Sequence, residues 1–342
     1  MENSRRKFFK TLGAVAALSA TQKVIGMPAI IQNLYTPSSL IRGVQVGAIT
    51  YSFREMADQS AEAVLEYVRS CGISAIELMG DPAEAFAGGP KSTIDFRVMS
   101  NIFRKRQAKQ ELSSDEQKQL VAFMKEREAI GIQRTEWRKT ADMKDFEKLR
   151  KMYKKAGVSI YAFKPDAFGV RNPDSDIHFG MRAAKALGAQ SVTLEHPADD
   201  AHTLKLGKIA ETYGLKVGYH GHEQQTFGFW DTALSQSPAN SLNLDLGHFV
   251  AAGNPNPLDI ITQKHANISS MHLKDRQSKA NGGANLVWGS GDTPIKEALV
   301  MMRDQKYKFP ATIELEYKIP EGSDSVKEVK KCMDLCRTML EA

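Results

Sequence analysis

Short apolar runs recur along this chain, and each is followed by a stretch in which apolar residues return every three to four positions. Eight runs stand out: Val44–Thr50, Ile73–Met79, Val158–Phe163, Ser191–Glu195, Lys216–His220, Ser241–Leu246, Ile268–Leu273 and Ala311–Tyr317. Between them, segments such as Met181–Leu187, Leu204–Tyr213 and Ile295–Met302 carry the 3.6-residue period of amphipathic helices. Strand and helix in alternation predict a parallel sheet, and eight repeats predict its closure into a (β/α)8 TIM barrel of the α/β class. An open doubly wound sheet is the alternative. No G-x-G-x-x-G follows the first run, which counts against the dinucleotide-binding version of that fold.

One connection is too long for this scheme. Met79 and Val158 are separated by about eighty residues, where a βα unit needs about thirty. The segment opens on Ala87-Gly88-Gly89-Pro90, turns helical and charged over Asp115–Gly131, and closes with a helix over Glu136–Ala156 that feeds the third strand. Its middle, 82–140, reads as a helical insertion after strand 2. It either caps the barrel mouth or decorates the surface. The remainder, 40–342, forms one barrel domain.

The N-terminus has a different character. Ser4-Arg5-Arg6-Lys7-Phe8-Phe9-Lys10 precedes the short apolar stretch Leu12–Leu18. A basic region followed by a brief apolar segment is the pattern of an export leader. The arginine pair with its aromatics resembles a twin-arginine signal, assigned to residues 1–28. That resemblance implies a periplasmic or otherwise exported protein. The leader also changes the meaning of the net charge. The whole chain carries +6, but the leader holds +4 of it, leaving +2 for the rest. So small an excess does not suit tight binding to a phosphate backbone, and no nucleic-acid partner is expected. No run of about 18 apolar residues exists, so no stable membrane insertion is expected either. The three cysteines, Cys71, Cys332 and Cys336, are too few for a disulfide framework. Cys332 and Cys336 share a helix face and read as packing residues.

Candidate chemistry gathers where strands end, the face on which such barrels carry their active sites. The fourth run leads into Glu195-His196, and the fifth into His220-Gly221-His222-Glu223. The sixth ends Asp245-Leu246-Gly247-His248, the seventh contains His272-Leu273-Lys274-Asp275-Arg276, and the eighth holds Glu314-Leu315-Glu316. Five of the eight histidines thus fall at or just past strand ends. Burying so many ionisable groups together is costly unless they pair or hold a cation. Imidazole with carboxylate is a ligand set for Mn²⁺, Zn²⁺, Co²⁺ and related ions.

From Val44 onward the chain resembles the sugar phosphate isomerase/epimerase superfamily, the xylose-isomerase-like barrels. Asp245-Leu246-Gly247-His248 matches the family's Asp-x-x-His, and His272–Asp275 matches its His-Leu-Lys-Asp. The His-Gly-His pattern at 220–222 is similar to the inosose-dehydratase-like branch. The resemblance implies one divalent metal ion, manganese first with cobalt, zinc or magnesium as alternatives, held by Glu, Asp, His and Glu. Carried over, these are Glu195, Asp245, His272 and Glu316. The chain departs from the family at the first ligand, because the strand before Asp245 offers His220 and His222 where a Glu is usual. Glu314 rivals Glu316, since both would point the same way on a strand.

The same resemblance implies a sugar isomerase or epimerase working through proton abstraction next to a carbonyl and an enediolate. Glu195 and Glu316 are the acid–base candidates, with His222 as the alternative. Lys164, His220, His248, Lys274, Arg276, Glu314 and Trp288 are candidates for contacting the sugar, Trp288 by stacking. A 3-keto-glycoside lyase or hydratase would use the same deprotonation, and a non-catalytic sugar-binding module is a third reading. A sugar is the expected partner, and a homo-oligomer is an option.

Overall fold

The computed structural model of the chain describes residues 36–342, apart from 94, 108 and 109. The leader assigned to 1–28 lies outside the described residues. Among those described, no helix is long and apolar enough to cross a membrane.

Eight parallel strands form a closed ring: β1 (Val44–Ile49), β2 (Ala75–Met79), β3 (Ser159–Lys164), β4 (Ser191–Glu195), β5 (Lys216–His220), β6 (Asn240–Asp245), β7 (Ile268–Leu273) and β8 (Ala311–Ile313). Each pairs with the next in the chain, and β8 returns to β1 through Thr312 opposite Gly47. The molecule is therefore a TIM barrel, as the alternation predicts. Every strand is covered by helices outside and by side chains inside, so most of its residues are buried on both faces. That double burial makes the strands appear in sequence as nearly continuous apolar runs.

Helices pack around the ring, and local chemistry sets their ends. Asp199 accepts a hydrogen bond from His202 N at 2.9 Å and so starts the helix Asp200–Tyr213. Gly214 ends it in the left-handed conformation that a side chain would penalise. Cys332 and Cys336 are buried on the inner face of Ser325–Glu341, as packing residues would be.

The helix Gly80–Phe86 follows β2 directly, and the insertion beyond it comprises the helices Phe96–Gln107 and Ser114–Arg138. A capping box joining Ser113 and Glu116 opens the longer. It runs beyond the expected Gly131 to Arg138. The helix that feeds β3 starts later than expected, at Met143, because Asp142 caps it after a turn. Two arginines, Arg134 and Arg138, fasten the long helix to the barrel. Arg138 lies buried between Glu84, at 2.7 Å, and Asp176, at 2.9 Å. Arg134 reaches Asp81 at 2.7 Å. The insertion is thus pinned beside the mouth by ion pairs as well as by apolar contact.

The eighth strand is shorter than its apolar run. It stops at Ile313 because Ser52, from the turn after β1, enters the ladder. The Ser52 hydroxyl donates to the Ile313 carbonyl at 3.3 Å and accepts from Leu315 N at 3.0 Å. Glu314 and Glu316 therefore leave the strand instead of alternating along it.

Candidate active site and metal centre

Closure of the barrel brings the ends of β5 to β8 together. His220, Asp245, His272 and Glu314 each offer one ligand atom, and these four atoms lie within 4.8 Å of one another. All four residues are buried. Asp245 is placed by two demands. Its Oδ1 accepts from His248 N at 2.6 Å, capping the helix Leu246–Ala251, which leaves Oδ2 turned to the cluster. That Oδ2 is buried and receives no hydrogen bond, although Lys274 Nζ lies 3.0 Å away. The Lys274 ammonium meets its charge there, and a metal cation is the other partner that suits such an oxygen.

Beneath this group lies a residue that sequence reasoning passes over. Glu77, on β2, is fully buried in the barrel. Its carboxylate accepts from Thr193 Oγ1 at 2.6 Å, from Asn243 Nδ2 at 3.2 Å and from His272 Nε2 at 2.8 Å. A signal for it exists in the sequence: a single carboxylate inside the apolar run Ala75-Ile76-Glu77-Leu78-Met79. It escapes a search of strand ends because it sits within a strand.

Charges in the cluster do not balance. Glu77, Asp245, Glu314 and Glu316 face Lys274 and His272. Burial opposes ionisation of all four carboxylates, yet Lys274 holds Asp245, Glu314 and Glu316 below the usual carboxylate range, and His272 does the same for Glu77. Burial works against the charge on His272, but Glu77 and Glu314 on its two nitrogens push it up to about 10. Burial dominates for His220, which falls to about 4 and so stays neutral. Four carboxylates against one ammonium and one imidazolium leave excess negative charge in a buried place. The donor set and that excess both fit a divalent cation of the Mn²⁺ or Zn²⁺ type.

The expected ligands Glu195 and Glu316 stand outside the four-residue group. Glu195 ends β4 on the cavity wall, where its oxygens engage Lys164 at 2.8 Å and His222 at 3.2 Å. Burial raises its pKa, but Lys164, His220 and His222 outweigh that and keep it ionised. In return, the Glu195 hydrogen bond raises the pKa of His222. Glu316, carried past the strand end by the Ser52 interruption, binds Lys274 at 2.8 Å. Of the two rivals on this segment, Glu314 joins the buried group and Glu316 faces the cavity.

The remaining candidates divide. His248 stacks on His222 with ring centres 4.4 Å apart. Arg276 holds Glu223 at 2.5 Å and also bonds His248 and the Gly283 carbonyl, so its guanidinium is committed to the wall and not free for a sugar. Trp288 is buried in the hydrophobic core, which commits its ring to packing instead of stacking on a substrate. The loop around it is organised by Asp275, whose Oδ2 accepts from the backbone N–H groups of Gly289, Ser290 and Gly291 at 2.7, 3.1 and 2.9 Å. A cavity of about 830 Å³ opens above the cluster, lined by Lys164, Glu195, His220, His222, Glu314 and Glu316, and on the insertion side by Arg134 and Thr135.

A family model described as a xylose isomerase-like TIM barrel matches residues 121–339. No curated protein matches the chain. Three solved structures share the fold. A sugar phosphate isomerase/epimerase from Parabacteroides distasonis is 14% identical, with a TM-score of 0.55 over 88% of this chain and 96% of that one. A probable 3-DHS dehydratase, AsbF, from Bacillus anthracis is 14% identical, with a TM-score of 0.56 over 85% and 98%. The IOLI protein with a bound zinc atom is 13% identical, with a TM-score of 0.55 over 86% and 98%.

Proposed function

Because the chain belongs to the xylose isomerase-like TIM barrel family, we propose that it is a divalent-metal-dependent sugar isomerase or epimerase that removes a proton next to a carbonyl. The observation that carries this reading is the buried group His220, Asp245, His272 and Glu314, whose Asp245 Oδ2 is met by the Lys274 ammonium, beneath an ionisable cavity. These four residues would hold the ion. Once bound, a divalent ion supplies Lewis-acid stabilisation of developing negative charge on a sugar oxygen. Fold neighbours described as an isomerase/epimerase and as binding zinc are in keeping with it.

The chain's own residues supply the proton chemistry. Glu195 ends β4 and Glu316 follows β8, and in an eight-stranded ring these positions are half a turn apart. A sugar lying between them turns one face to each carboxylate. Glu316, as a carboxylate, takes the proton from the carbon beside the carbonyl, and Glu195, once protonated by His222, gives a proton to the opposite face, inverting that carbon. Lys274 keeps Glu316 ionised as the base, and Lys164 aligns Glu195. His222, bonded to Glu195, is placed to receive or return the proton on that side. Such groups contribute about 10²–10⁴-fold each.

The test is incubation in D₂O with Mn²⁺, Co²⁺, Zn²⁺ or Mg²⁺ and a panel of aldoses, ketoses and 3-keto glycosides. Deuterium at the carbon next to the carbonyl, without loss of a substituent, is expected. Glu195→Gln and Glu316→Gln should each slow it by about 10²-fold or more. Release of an aglycone or of water would point to an elimination instead, and no exchange with any sugar and ion would contradict the proposal.

A further inference from the structure

In each imidazole of the buried group, one nitrogen is engaged by a residue outside that group. His220 Nδ1 lies 2.7 Å from Asn243 Oδ1, and His272 Nε2 lies 2.8 Å from Glu77 Oε2. The two anchors are linked, because Asn243 Nδ2 donates to Glu77 at 3.2 Å and to Ser270 Oγ at 2.6 Å, and it also lies 3.2 Å from His272 Nε2. The amide is assigned from the Glu77 contact. An ionised carboxylate only accepts, so the NH₂ of Asn243 must face Glu77 and its carbonyl oxygen must face His220. His220 is then obliged to carry its hydrogen on Nδ1. Its Nε2 is left as a lone pair, 3.9 Å from Asp245 Oδ2. On His272, Glu77 takes the Nε2 side and leaves Nδ1 towards Glu314, at 2.9 Å.

We infer that Glu77 and Asn243 are positioning residues that fix which nitrogen of His272 and His220 faces the shared centre, so that one cation receives Nδ1 of the first and Nε2 of the second. The inference rests on the cation reading above and deepens it. Thr193, from β4, completes the arrangement by holding the second oxygen of Glu77 at 2.6 Å. The anchors thus tie β2, β4, β6 and β7 into one layer below the donors. The same engagement sets the stoichiometry. His220 also groups with His222 and His248 as a second donor set. With Nδ1 engaged by Asn243, His220 has only Nε2 to give, so the two sets compete for one atom and one ion binds per chain.

The experiment uses the full chain, its histidines labelled with ¹⁵N, as wild type, Glu77→Gln and Asn243→Leu. Two measurements are made: Zn²⁺ affinity by competition with a chelator, and the histidine tautomers by two-bond ¹⁵N–¹H correlation without metal. Wild type is expected to bind one Zn²⁺ and to show, besides His265, whose Nδ1 faces the Thr262 carbonyl at 3.0 Å, a second neutral histidine with hydrogen on Nδ1 alone. Both variants should bind Zn²⁺ about 10–100-fold more weakly, and Asn243→Leu should also lose this second Nδ1–H signature while keeping that of His265, which a merely structural role would leave in place. Affinities within threefold of wild type, with the tautomer unchanged in Asn243→Leu, would overturn the inference while leaving the cation reading intact. Wild type that takes up no ion would overturn the cation reading and this inference with it. Thermal unfolding identifies a variant that fails to fold, in which case the other decides.

Discussion

Asp245 shows how much one side chain can be asked to do. One oxygen ends a strand and begins a helix by capping His248 N, and the other is held in the buried cluster without a hydrogen bond. The motif around it follows from the same crowding. A Cβ on Gly247 would sit 2.4 Å from Lys274 Cγ and 2.6 Å from the Lys274 carbonyl oxygen. The glycine therefore lets Lys274 pass on its way to Asp245, Glu314 and Glu316. Gly247→Ala is expected to cost about 1–3 kcal/mol through overpacking, read as a lowered urea midpoint. It should also tighten Zn²⁺ binding, because Lys274, which competes with the ion for Asp245 and Glu314, is displaced. A midpoint and affinity equal to wild type would show that the close approach is relieved without consequence.

At the scale of elements, the insertion is held by charge. Arg138 is buried with two carboxylates, Glu84 and Asp176. Burial raises the pKa of Glu84 even with Arg138 beside it. Arg138→Met removes the compensating charge from both and is expected to destabilise the protein by about 3–5 kcal/mol. The measurement is equilibrium denaturation, and a loss under about 1 kcal/mol would mean that the pairs are replaceable by packing. These partners also show where sequence reading stops. A long charged helix between strands 2 and 3 is legible from its composition, but its break after Arg138 depends on Asp142 acting as a cap. Its attachment depends on partners 38 and 54 residues away in the chain. The shortening of β8 is hidden for the same reason, since the Ser52 hydroxyl that interrupts it arrives from 261 residues earlier.

For the molecule as a whole, the barrel is legible because double burial writes each strand as an apolar run and each outer helix as a 3.6-residue period. The ring order then places strand ends together, which is why Asp245 and His272 can be singled out before any geometry. What sequence does not supply is depth. Glu195 and Glu314 both belong to strand ends, yet one stands on the cavity wall and the other in the buried group. Glu77 is missed because a carboxylate in mid-strand becomes meaningful only when His272 is found across the barrel. One centre made by four residues is the basis of the proposed chemistry. Anomalous diffraction from crystals soaked in Mn²⁺ or Zn²⁺, collected at the metal edge, tests this directly. The expected result is one peak per chain, within bonding distance of His220 Nε2, Asp245 Oδ2, His272 Nδ1 and Glu314. A peak bound instead by Glu195 and His222, or no peak in crystals that retain activity, would contradict it.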